Sequence, residues 1–177
     1  WAVDSGMKKT ERAGGKDMTK VVKFGGSSLA SAEQFIKAGD IIRSDGERRY
    51  VVPSAPGKRF GKDTKVTDML YSCYAKAEAG EAFTDELKAI KERYEEIIHG
   101  LQLDLSLAEE FAVIEEKFGE KAGEDYAASR GEYLNGIVMA AYLGYEFIDA
   151  ATVILFDDNG EFESEKTNKV LAERLSH

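Results

Sequence analysis

Lys20-Val21-Val22-Lys23-Phe24-Gly25-Gly26-Ser27-Ser28 is the stretch on which the fold turns. Its first five residues read as a short buried strand that runs directly into a glycine–serine turn. Ser31, followed three positions later by Gln34, is a capping-box pattern, so the spacing predicts a helix starting there. Phe35, Ala38, Ile41 and Ile42 fall on one face of that helix. Tyr50-Val51-Val52 reads as a second strand after the Asp45-Gly46 turn. It leads into Pro53-Ser54-Ala55-Pro56-Gly57, which holds both prolines of the chain. Each proline locks φ and removes a donor, so this loop has a fixed backbone.

The middle of the chain is helical. Val66 to Ala79 carries Val66, Met69, Leu70, Cys73 and Ala77 at helical spacing. Thr84 caps the next segment, in which Leu87, Ile90, Tyr94, Ile97 and Leu101 form an apolar stripe. The acidic and basic residues of 85–96 read as the solvated face of that helix. Ser106 and Glu109 make another capping box, ahead of Phe111, Ile114 and Phe118. Ser129 to Leu143 is a more apolar helix and reads as the buried one. Tyr145 to Ile148 and Val153 to Phe156 read as strands, and Glu165 to Leu175 as a closing helix. Strands separated by helices predict an α/β fold, a parallel-type sheet with helices on its faces. Ligands of such sheets sit beyond the carboxyl ends of the strands. That directs attention to the Gly25–Ser28 turn and the Ser54–Gly57 loop.

Composition narrows the field further. A chain of 177 residues is one domain's worth, large enough to bury roughly 70% of its unfolded surface. With 24 Lys+Arg against 33 Asp+Glu the net charge is −9, and the pI near 4.9 argues against a nucleic-acid partner. The longest nearly apolar run, Ile137 to Tyr145, is half of what a bilayer crossing requires. A single cysteine, Cys73, forms no internal disulfide and favours a reducing, cytoplasmic setting. Cys73, His99 and His177 are scattered, which leaves no zinc cluster and predicts no metal held by side chains. Trp1 to Asp17 is polar and without apolar periodicity, and reads as a leader, tag or disordered extension. The folded part is then expected over 18–177, with Trp1 outside the core.

Lys23-Phe24-Gly25-Gly26-Ser27-Ser28 gathers three phosphate-stabilising devices. Two residues lack a Cβ, a helix N-terminus follows, and a lysine precedes. The spacing alone serves equally well as an ordinary strand-to-helix turn. A P-loop is excluded because Gly57-Lys58-Arg59-Phe60-Gly61-Lys62 has three residues between its glycines and Asp63 after the lysine. The dinucleotide fingerprint is absent after the first strand.

Four motifs in register carry a resemblance. Lys23 to Ser28, Ser54-Ala55-Pro56-Gly57-Lys58, Lys65-Val66-Thr67-Asp68 and Ser129-Arg130-Gly131-Glu132 together resemble the aspartate kinases of the amino acid kinase family. The match runs from about Thr19 to the end and covers the N-terminal, substrate-side part of the family's catalytic domain. It implies an incomplete, three-layer α/β/α amino acid kinase-like fold. The implied activity is ATP-dependent phosphorylation of the aspartate β-carboxylate, the first step toward lysine, threonine and methionine. The resemblance places Lys23, Gly25, Gly26 and Ser27 against the ATP phosphates, with Lys23 catalytic. Ser54 falls between substrate and γ-phosphate. Thr67 and Glu132 fall on the aspartate, Glu132 at its α-amino group, and Arg130 on the substrate side. ATP with Mg²⁺ held through its phosphates, and L-aspartate, are the implied partners, and a homo-oligomer is compatible with the pattern. Relatives continue into a nucleotide-binding half and regulatory domains, so a fragment inactive alone is the expectation.

Other readings stand beside these. Ser129-x-x-Glu132 is itself a capping box, and Thr67 and Asp68 serve as well to start a helix. Lys58, Arg59, Lys62 and Lys65 read as a phosphate-steering cluster or as a solvated loop. A relative acting on glutamate or N-acetylglutamate, and a non-catalytic assembly module, are the competing functions.

Overall fold

In a computed structural model that describes residues 1–4 and 19–175, the alternating stretches form a four-stranded mixed sheet flanked by helices. In chain order the elements are β1 (Ala2–Val3), β2 (Lys20–Phe24), α1 (Ala32–Arg43), β3 (Arg48–Pro53), α2 (Val66–Ala79) and α3 (Thr84–Gly100). They continue with α4 (Ala108–Gly119), α5 (Glu124–Leu143), β4 (Glu146–Phe147) and α6 (Ser164–Leu175). The sheet order is β2-β3-β1-β4. β2 and β3 are parallel, with Val21 opposite Tyr50 and Phe24 opposite Pro53, and α1 is their crossover.

The expected parallel sheet is therefore mixed, because β1 lies between β3 and β4 and runs antiparallel to both. Ala2 stands opposite Val51 on one side and Phe147 on the other. This corrects the expectation that the first residues stand apart from the fold. An apolar dipeptide here satisfies backbone groups that two strands would otherwise leave as edges. Ala2 and Val3 are buried, and Trp1 is half-buried against a second apolar cluster. The rest of the predicted extension, 5–17, lies outside the described residues.

Adjacent strand residues face opposite ways, and this divides the core. Ala2 and Val51 join the large cluster under α1, α2, α3, α4 and α5. Val3 and Tyr50 face the other way and pack with Val170, Leu171 and Leu175 of α6. β2 is not the buried strand its composition suggested. It is an edge strand in which Val22 and Phe24 pack on the core while Val21 is 68% exposed.

α2 has the bounds its periodicity predicts, closed by Gly80 in the left-handed region at φ 75°. α5 begins at Glu124, five residues before the predicted Ser129. Gly123, at φ 107°, turns the chain into it, and the Tyr74 hydroxyl accepts the Gly123 N–H at 2.9 Å. Glu124 and Asp125 in the first turn complement the helix dipole. The predicted strand Val153–Phe156 does not form: a 3₁₀ turn, Ala150–Thr152, precedes these residues, and Phe156 makes an isolated bridge with Phe162. The Asp149 carboxylate accepts the Ala151 N–H, and the Thr167 hydroxyl accepts that of Leu155, so these amides are not available to a ladder.

Candidate functional site

The turns that leave β2 and β3 meet each other. The Gly57 N–H donates to the Gly26 carbonyl at 2.8 Å, and the Ser54 N–H to the Phe24 carbonyl at 3.0 Å. Contact this close requires glycine at both positions. A Cβ on Gly26 would stand 2.8 Å from the Ala55 oxygen, and one on Gly57 would stand 2.6 Å from the Gly26 carbonyl carbon.

The rest of the loop backbone is held from the helices. On α5, Asn135 donates from Nδ2 to the Ser54 carbonyl at 2.6 Å, and one turn earlier Glu132 Oε1 accepts the Ala55 N–H at 3.2 Å. On α3, Arg93 donates to the Gly57 carbonyl at 2.7 Å. The Val66 N–H, at the start of α2, donates to the Pro56 carbonyl at 3.1 Å. The loop with both prolines is thus rigid because nearly every backbone group in it has a defined partner.

These contacts border a cavity of about 430 Å³. Gly26 and Ser27 line it from the first turn, Ser54 from the second, Thr67 from the first turn of α2, and Glu132 from α5. Lys58 and Lys65 also line it, and the carboxylate of Glu132 reaches it beside the Ala55 N–H. A lining that combines two glycine turns, three hydroxyl residues, two lysines and one carboxylate suits a ligand that carries both negative and positive charge.

Five of the eight residues singled out by sequence come together here: Gly26, Ser27, Ser54, Thr67 and Glu132. Lys23, Gly25 and Arg130 do not line this cavity. Lys23 is exposed and, by strand alternation, lies on the face of β2 opposite Val22 and Phe24. Gly25 is exposed and precedes the 3₁₀ turn Gly26–Leu29. Arg130 borders a neighbouring cavity of about 580 Å³ that Glu132 also lines. Its guanidinium lies over the rings of Tyr126 and Tyr133, 4.4 and 4.6 Å from their centroids, and donates to the Ser129 hydroxyl at 2.9 Å.

The capping reading of Ser129 and Glu132 falls with the start of α5. Both lie inside the helix, and the Ser129 hydroxyl donates to the Tyr126 carbonyl at 2.8 Å. Glu132 sits in mid-helix beside the loop it holds, away from the positive end of the dipole.

Two residues behind the site were not singled out by sequence. Arg93 belongs to the charged run 85–96 assigned to solvent, yet it is 3% exposed. It occupies the slot between Ile90 and Ile97, beside Tyr94, on the apolar stripe itself, and that position is the signal. Asn135, between Leu134 and Val138, is likewise fully buried. Asp63 completes the group. Hydrogen bonds from the Arg59 side chain, then its backbone N–H and Arg93, hold the Asp63 carboxyl well below the usual carboxylate range against the opposing effect of burial. Burial raises the Tyr94 hydroxyl well above its ordinary value, with the nearby Glu132 charge adding to it, and this hydroxyl donates to the Gly131 carbonyl at 2.8 Å.

Two interlocked glycine turns at the ends of parallel strands and a cavity of mixed charge beside them define a class, and the family model of the amino acid kinase family matches residues 18–176. The chain belongs to the amino acid kinase family. Within it, the chain is similar to Aspartokinase 3 of Bacillus subtilis, with 41% identity over 140 residues, 76% of this chain and 31% of the relative. It is 30% identical over 139 residues to the chloroplastic Aspartokinase 2 of Arabidopsis thaliana, covering 73% of this chain and 25% of that one. Aspartate kinase of Clostridium acetobutylicum has a similar structure over 88% of this chain and 36% of its own, with TM-score 0.84 and 49% identity. E. coli aspartokinase III, solved with aspartate and ADP, shares the fold with TM-score 0.70 at 24% identity, over 88% of this chain and 37% of its own. The chain spans a quarter to just over a third of the length of these relatives.

Proposed function

We propose that these residues form the acceptor side of an aspartate kinase, which transfers the γ-phosphoryl group of ATP to the β-carboxylate of L-aspartate. The product is 4-phospho-L-aspartate. The observation that carries this reading is the single cavity in which Glu132 and Thr67 share walls with Gly26, Ser27, Lys58 and Lys65. In this reading Glu132 receives the α-ammonium of aspartate and Thr67 donates to a substrate carboxylate. Ser54 stands where the two reactants meet. The amides of Gly26 and Ser27 face the phosphates, with Gly25 beside them, and Lys23 meets the nucleotide from the uncovered face of β2. Arg130 flanks the substrate through the neighbouring cavity it shares with Glu132.

The chemistry asks little of a base. A free aspartate β-carboxylate has a pKa of about 3.9, so its oxygen attacks phosphorus already ionised. The new O–P bond forms as the bond to the ADP oxygen breaks, and no proton moves. The barrier is the approach of two anions and the charge of the transferring group, which positioning and cations lower. Lys58 and Lys65 supply two such cations at the cavity wall. Among the described residues no group of three or more His, Cys, Asp or Glu side chains is arranged to hold a metal. The hydroxyls, amides and lysines of the cavity fit phosphate oxygens, so Mg²⁺ would arrive on ATP, where it supplies charge neutralisation. A single buried cysteine accords with a cytoplasmic setting.

Titration calorimetry of the chain with L-aspartate, L-glutamate and N-acetyl-L-glutamate tests the acceptor. Heat with L-aspartate, at least tenfold weaker binding of the other two, and loss of aspartate binding in Glu132→Gln are expected. Preference for a glutamate, or an unchanged Kd for aspartate in Glu132→Gln, would refute it.

A further inference from the structure

We infer that Arg93 is a positioning residue that sets the spacing of the two anion-facing turns and aims a backbone amide into the cavity. The inference rests on the reading of that cavity as the phosphoryl-transfer site. The Arg93 side chain is 2% exposed, and its guanidinium forks to three places. Nη2 donates to the Gly57 carbonyl at 2.7 Å and to the Ala30 carbonyl at 3.4 Å, while Nη1 donates to Asp63 Oδ2 at 2.7 Å. Ala30 ends the turn after β2, and Gly57 lies in the loop after β3. One planar cation therefore ties both turns to α3, and its fixed geometry determines how far apart they stand.

Asp63 extends the tie. Its carboxylate accepts the Arg59 N–H at 2.8 Å and the Arg59 side chain at 3.0 and 3.1 Å, closing the loop that carries Lys58 and leads to Lys65. The direction of pull on Gly57 matters as much as its existence. In a trans peptide the carbonyl and the following N–H point opposite ways, and no cis bond occurs among the described residues. With the Gly57 carbonyl drawn toward Arg93, the Lys58 N–H points away from Arg93, and Lys58 is a wall residue of the cavity. Packing alone does not require a cation here, since an apolar side chain of similar length fills such a site as well or better. The fork is what an apolar residue lacks.

The test compares wild-type chain, Arg93→Lys and Asp63→Asn. Thermal unfolding is measured alongside calorimetric Kd values for inorganic tripolyphosphate and for L-aspartate. Lysine keeps the charge and loses the fork. The expected result is a folded Arg93→Lys chain whose tripolyphosphate affinity falls about tenfold, while its L-aspartate affinity changes less than twofold. Hydrogen exchange at the Gly57 amide should speed up without change at the core amides of α5. A purely structural role would weaken both ligands in step with the loss of thermal stability, and that outcome overturns the inference. So does wild-type tripolyphosphate affinity in folded Arg93→Lys. If Arg93→Lys does not fold, Asp63→Asn decides: a loss of about threefold or more supports the inference, and an unchanged Kd overturns it. Absence of tripolyphosphate binding by the wild-type chain would remove the site reading and this inference with it.

Discussion

Replacing Gly57 with alanine tests the interlocked turns most directly. The added Cβ would lie 2.6 Å from the Gly26 carbonyl carbon, 2.7 Å from the Ser27 nitrogen and 2.8 Å from the Gly26 oxygen. All three are backbone atoms, so no rotamer change relieves them. Ordinary contact begins near 3.4 Å, so the turns must part by about 0.8 Å. Movement of that size stretches the 2.8 Å bond from the Gly57 N–H to the Gly26 carbonyl past useful length. Overpacking costs about 1–3 kcal/mol and the lost bond about 0.5–1.5 kcal/mol. Alanine regains about 0.4–1 kcal/mol by restricting the unfolded chain, because Gly57 does not have a positive φ and its backbone suits alanine. The net destabilisation is roughly 0.5–4 kcal/mol, which lowers Tm by about 1–16 °C in a chain of this size. Gly25→Ala is the internal comparison. Nothing lies within 4 Å of its added Cβ and its φ is −77°, so its Tm should stay level or rise slightly. Its tripolyphosphate affinity should nevertheless fall if an anion approaches that backbone. Calorimetric unfolding of the two variants at pH 7 gives the answer, and equal Tm values within 1 °C or so would refute the steric argument.

Burial pushes the Cys73 thiol up to about 12, so the native chain should resist a thiol-specific reagent at pH 8 and react fully in denaturant. Rapid stoichiometric labelling of folded chain would contradict this. The Asp63 carboxyl is held below its unfolded value of about 3.9, so its contribution is complete above about pH 5 and is lost as pH falls toward the folded value. The Tm gap between wild type and Asp63→Asn should therefore shrink from pH 5 to pH 2, and a constant gap would show the carboxylate to be unimportant. Phe118 is fully buried and meets Tyr74, Tyr126 and Phe83 with ring centroids 5.4, 6.4 and 6.2 Å away. Phe118→Ala should cost about 3–5 kcal/mol in urea unfolding, and a loss under 1 kcal/mol or so would mean the core collapses around the gap.

How far the molecule is legible from its residues depends on how local each cause is. The bounds of α2 follow from an apolar period and a terminal glycine, both within one segment. The start of α5 does not, because Ser129 and Glu132 imitate a capping box while the true start at Gly123 has no side-chain cap. β1 carries no period at all. Two residues become a strand only because β3 and β4 lie on either side of them. The site divides in the same way. Gly26, Ser27, Ser54, Thr67 and Glu132 lie in short motifs and were legible, whereas Arg93 and Asn135 act on the loop from helices 36 and 81 residues away in sequence. Both interrupt apolar stripes, and a polar residue at a position that periodicity assigns to the core is the available clue. Their burial is costly: among the described residues Arg93 Nε and Asn135 Oδ1 have no hydrogen-bond partner, at about 1–3 kcal/mol for each such group. Leucine or methionine at either position would avoid that cost and still fill the core. What neither could do is hold the Ser54 and Gly57 carbonyls, so the stability forgone at these two positions is the measure of how closely the loop between them has to be placed.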